Sequence, residues 1–150
     1  MDVYNGTAGK EGWEKITLAS TIGGMVINTA GVTLAHGMEH PASGLKNIVH
    51  GQGLAALTPV IIEASYKGNR EKFSKIARIM GGMTAEDCAT KIRTLLKKLD
   101  LDCTLSDLGI KEEDIPWMAE NCMKVSAAGV MNNPVVFLKE EIAEIYRKAL

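Results

Sequence analysis

The stretch AGVTLAHGMEHPASGLKNIVHG, residues 30–51, decides how the rest of the chain is read. It holds all three histidines of the protein, His36, His40 and His50. His36 and His40 are four residues apart, which on a helix puts both imidazoles on one face. The pattern predicts a helix over residues 30–45, bent or stopped by Pro41, which lacks an N–H. Residues 46–49 then form a connection, and His50-Gly51 opens the next helix. Three imidazoles so placed can converge on one centre, and neutral imidazole is a common ligand for Zn²⁺ and a good one for Fe²⁺. Three histidines can equally well cap helices or satisfy polar groups of a core, and spacing alone leaves both readings open. Glu39 sits between the first two on another face of the helix and is not expected to be a ligand. The zincin pattern HExxH is absent.

Working outward, the chain reads as all-α, because alternating β-branched runs joined by Asn-Gly or Asp-Gly turns are missing. A helix over residues 11–28 is rich in small and apolar residues. The uncharged run 16–35 around it is long enough to span a bilayer, but its threonines, Asn28 and glycines mark it as a helix or helix pair buried in protein. A third helix from residue 50 carries Leu54, Leu57, Val60, Ile61 and Ala64 at helical spacings, with Pro59 predicting a kink. Asn69 caps a helix reaching Ile79, which Gly81-Gly82 ends. Thr84 and Asp87 resemble a capping box before a helix to Leu99, whose apolar face includes Cys88, Ile92 and Leu95. Lys91, Arg93, Lys97 and Lys98 form its solvated face. Residues 102–111 read as a loop, Asp114-Ile115-Pro116 as a helix start, 127–133 as a turn-rich link, Asn133-Pro134 as a break, and 139–150 as a final amphipathic helix. No domain boundary is evident in the sequence.

A length of 150 residues suits one domain, and 46% hydrophobic residues suffice for a real core. Seventeen basic residues against eighteen acidic ones, a net charge of −1, argue against nucleic-acid binding. Three widely spaced cysteines, Cys88, Cys103 and Cys122, point to a reduced, cytoplasmic chain. No signal peptide and no membrane span are expected. The methionines read as core fillers, and Trp13 and Trp117 as packing or interface anchors. Gly23-Gly24 and Gly81-Gly82 match neither GxGxxG nor a P-loop.

The residues around the histidines resemble the signature of the iron-containing (group III) alcohol dehydrogenases: His, three residues, His-Pro, then His-Gly ten residues after the second His. Here these are His36, His40-Pro41 and His50-Gly51. The resemblance extends to residues 16–28, 105–110, 113–116, Asn133-Pro134 and the closing helix, so it spans nearly the whole chain in the right order. Position 49 departs from it, with Val49 where the family usually has proline.

The resemblance implies a multi-helix bundle like the C-terminal, dehydroquinate-synthase-like domain of that family. It also implies a metal cleft against an N-terminal nucleotide-binding domain that has no counterpart here. Carried over residue by residue, His36 and His50 would be metal ligands for Fe²⁺ or Zn²⁺. His40 would match a histidine near the nicotinamide and substrate that helps proton transfer. The family's first two ligands, an Asp and a His, have no counterpart either. The expectation is therefore the C-terminal part of a metal-dependent enzyme that moves hydride between a primary alcohol or aldehyde and NAD or NADP, inactive on its own. Its exposed apolar surface would favour a homo-oligomer. The alternative is a stand-alone helical metal-binding or protein-interaction module without catalysis.

Overall fold

A computed structural model describes residues 1–150, and every regular element in it is helical. The elements are α1 (Lys10–Ala30), α2 (Leu34–Lys46), α3 (His50–Ser65), α4 (Arg70–Ile79), α5 (Asp87–Lys98), α6 (Ile115–Val125), α7 (Ala127–Met131) and α8 (Lys139–Ala149), with short 3₁₀ turns at Tyr66–Asn69 and Glu112–Asp114. The chain divides into two compact units, Met1–Val32 and Thr33–Leu150.

The first unit is a turn-rich arm followed by α1. Burial was expected for this apolar helix, yet none of its residues is buried. Trp13, Ile16, Leu18, Ile22, Met25 and Val26 are all about half exposed or more. The physical reason is that the unit contains no second helix: an apolar surface is buried only when a complementary one meets it. Gly31, at φ +73°, closes α1 with its N–H on the carbonyl of Ile27, a left-handed conformation that glycine adopts without Cβ strain. That closure, with extended Thr33 after it, is why the next helix starts at Leu34 rather than at residue 30. No single helix is long and apolar enough to cross a membrane.

The second unit carries the core. α2 packs on α3, α6 and α7, and α8 packs on α3 and α6. Leu34, Met38, Leu57, Ile115, Met118 and Ile142 are fully buried at their meeting point. Tyr146 on α8 is also buried, and its hydroxyl donates to the carbonyl of Met38 on α2 at 2.5 Å. The loop after α5 is tied to the same layer, since the Leu105 N–H donates to the carbonyl of Ala149.

Several local expectations hold. The Asn69 side chain accepts from the N–H of Lys72 and caps α4. Of the capping box expected at Thr84 and Asp87 only the acid's half forms: the Asp87 carboxylate accepts from the N–H groups of Met83 and Thr84, while α5 begins at Asp87 itself without a side-chain cap. Pro116 lies in the first turn of α6, where the missing N–H costs nothing. Pro41 does not stop α2, which runs through it to Lys46 and ends on left-handed Asn47. Residues 127–131, read as a turn-rich link, form the short helix α7; Gly129 and Val130 are buried there, so tertiary packing overrides weak local propensity.

Candidate metal centre

His36 and His40 are one helical turn apart on α2, and His50 is the first residue of α3. The three-residue connection between these helices turns the chain so that His50 faces the same rim. One ligand nitrogen from each ring lies within 4.8 Å of the others. The ring centroids are 5.1 Å apart for His36–His50, 5.7 Å for His40–His50 and 5.9 Å for His36–His40. Both helices are held by core side chains, Leu34, Met38 and Ala42 on α2 and Leu57, Val60 and Ile61 on α3, so the convergence is built on rigid elements.

His36 is half-buried, whereas His40 and His50 are exposed. Burial pushes the His36 imidazolium down from its ordinary range, and the neighbouring His50 and His40 push the same way, against a smaller opposing effect of Glu39. His36 is thereby favoured as the neutral imidazole, the form with a lone pair to give. Three nitrogen donors meeting at an accessible rim are a set suited to Zn²⁺ or Fe²⁺. They also leave room for further ligands, as a catalytic site requires. The sequence-derived candidates His36, His40 and His50 are thus all brought together.

Glu39, not expected to be a ligand, is outside the histidine cluster but has a place that the sequence reading did not give it. It lies at the α2–α3 contact, against Gly53, where its side chain is fully buried. One carboxylate oxygen meets the Ser43 hydroxyl, and the other meets Nδ1 of His50. The available signal was the spacing of Glu39 and Ser43, four residues apart on a helix stretch otherwise burying Leu34, Met38 and Ala42. An acid within an apolar face needs polar partners.

The remaining candidates lie elsewhere. Cys88 and Cys122 are buried thiols and Cys103 is half-buried, all unpaired. Burial raises the Cys122 thiol to about 11 and also raises Cys88 and Cys103, which opposes a nucleophilic role. Lys97 and Lys98 are exposed on α5.

Comparison with known proteins bears on this geometry. The profile described as "Fe-containing alcohol dehydrogenase family, C-terminal" matches residues 1–150. The chain is 36% identical over 144 residues to 1,3-propanediol dehydrogenase of Klebsiella pneumoniae, covering 91% of this chain and 37% of that protein. It is 30% identical over 148 residues to lactaldehyde reductase of Escherichia coli K12, covering 93% and 38%. Among solved structures, the iron-containing alcohol dehydrogenase from Thermococcus thioreducens superposes with a TM-score of 0.77 at 29% identity, over 88% of this chain and 35% of that one. The chain therefore spans little more than a third of the length of these relatives.

Proposed function

This chain belongs to the Fe-containing alcohol dehydrogenase family, and from that premise we propose that it is the metal-holding helical part of an enzyme that exchanges hydride between a primary alcohol or aldehyde and NAD(P). The observation that carries the reading is the convergence of His36, His40 and His50 on one rim. His36 and His50 would hold a divalent ion, iron or zinc. Such an ion, when bound, supplies Lewis acidity toward the alcohol or carbonyl oxygen. His40, exposed beside the other two rings, would accept the hydroxyl proton during oxidation and return it during reduction. The diol and the aldehyde in the names of these relatives, 1,3-propanediol dehydrogenase and lactaldehyde reductase, support that substrate class.

Two imidazole ligands without a carboxylate make a weak site, and the glycine pairs of the chain form no nucleotide-binding motif. The 150 residues alone are therefore expected to be inactive and to need a nucleotide-binding partner domain of the relatives' kind. The exposed apolar residues of α1 favour coverage by another chain segment or by a second copy, within a cytoplasmic homo-oligomer.

The test is NADH formation from 1,3-propanediol and NAD⁺ with Fe²⁺ or Zn²⁺ present. The chain alone should give none. Joined in frame after the N-terminal part of the Klebsiella relative, it should give turnover that H36A or H50A abolishes. H40A should leave metal content intact and alter the pH profile. Turnover by the isolated chain, or turnover indifferent to H36A and H50A, would contradict the reading.

A further inference from the structure

We propose that Glu39 is a positioning residue for His50: its buried carboxylate holds the Nδ1 edge of the imidazole, so that the Nε2 edge is the one turned to a cation. The inference rests on the metal-site reading above and deepens it. Four residues from two helices build the arrangement. Glu39 lies in the middle of α2 with its side chain 0% exposed. A buried carboxylate is costly unless its oxygens are satisfied, and here both are, by the Ser43 hydroxyl and by His50 Nδ1. The carbonyl of Ile48, 3.1 Å from the Ser43 oxygen, is the alternative acceptor for that one hydroxyl proton, which puts the connection preceding His50 beside the same cluster.

Gly53 is the fourth member. It is one turn along α3 from His50, and a Cβ there would lie 2.8 Å from both Cγ and Oε1 of Glu39. The carboxylate therefore occupies space that any other residue at position 53 would take. The acid, the hydroxyl, the imidazole and the missing side chain fit one another across the α2–α3 contact.

The chemical consequence follows from the two nitrogens of imidazole. A neutral ring has one N–H and one lone pair. A carboxylate accepting at Nδ1 fixes the N–H there, leaves the lone pair on Nε2, and makes the ring a better donor to a metal. Glu39 thus acts on the site without touching the ion.

The test is the His50 tautomer in the metal-free 150-residue chain, read by long-range ¹H–¹⁵N NMR at pH 9 with ¹⁵N-labelled histidine, alongside Zn²⁺ titration. The expected result is an Nδ1–H tautomer for His50, which E39L converts to mainly Nε2–H while His36 and His40 keep their signals. E39L should also weaken Zn²⁺ binding about 10- to 100-fold. E39Q, which keeps an acceptor oxygen in place, should retain the tautomer. G53A, which crowds the carboxylate from α3 and leaves its charge intact, should shift the tautomer as E39L does, and it supplies the readout if E39L does not fold. An Nε2–H tautomer in the wild-type chain, or one unmoved by both E39L and G53A, would overturn the proposal. The expected tautomer with no Zn²⁺ binding, even by the chain joined to the N-terminal part of the Klebsiella relative, would overturn the metal reading alone.

Discussion

The helices α1 and α2 follow one another in sequence and have opposite fates. α1 is 21 residues long, with a long uncharged run, and buries none of them. α2 has 13 residues, contains two histidines, a glutamate and a proline, and buries six positions, Glu39 among them. Composition alone ranks them the wrong way round. What separates them is whether another element presents a matching surface: α2 has α3, α6 and α7 around it, and the unit holding α1 contains no other helix. The polar residues of α2 are tolerated inside because each has a partner, and no buried side-chain nitrogen or oxygen lacks one.

The sharpest way to break this contrast is truncation of matched apolar side chains. Leu57→Ala in the core around α2 should cost about 2–5 kcal/mol, as large-to-small core changes do. Ile22→Ala on α1, already half exposed, should stay within about 0.5 kcal/mol. Chemical denaturation followed through Trp117 in a Trp13→Phe background measures both. Ile22→Glu should likewise spare stability while reducing self-association in sedimentation. Equal costs for the two alanine variants would mean that α1 is as firmly packed as α2.

A smaller effect tests the hydrogen bond that locks α2 to α8. Tyr146→Phe removes the hydroxyl that donates to Met38, whose carbonyl is inside α2 and has the helix's own N–H partner as well, and should cost about 0.5–1.5 kcal/mol. Thermal unfolding of this variant should show a lower midpoint, and an unchanged one would show the bond to be energetically idle.

The smallest effect under neutral conditions is a pH dependence. Cys122, buried on α6, has its thiol raised from 9.0 to about 11 by desolvation. Between those values the unfolded chain has lost the proton and the folded chain keeps it. Stability from this group is therefore complete below pH 9 and declines as pH rises toward 11. Cys122→Ala should flatten that part of the wild-type curve of unfolding free energy against pH. Curves that stay parallel would show that the thiol does not contribute.

Much of this was legible in the residues. The cap at Asn69, the proline at the start of α6 and the amphipathic pattern of α8 are local signals, and local physics set those boundaries. The histidines were legible for a similar reason: spacing of four on a helix fixes two of them, and a short connection limits where the third can go. The fate of α1, the helix at 127–131 and the role of Glu39 were not. Each depends on what meets the side chain in space, and in the case of Glu39 on an imidazole eleven residues away and a glycine fourteen residues away, on the next helix.

The metal chemistry proposed for this chain depends on the rim where the imidazoles meet. X-ray absorption at the metal edge of the chain joined in frame after the N-terminal part of the Klebsiella relative, loaded with one equivalent of Zn²⁺, tests it directly. The expected spectrum shows imidazole nitrogens at about 2.0–2.1 Å, with stoichiometric binding lost in the H36A/H50A double variant. A chimera that binds no equivalent of metal, or a double variant whose spectrum matches the wild type, would contradict it.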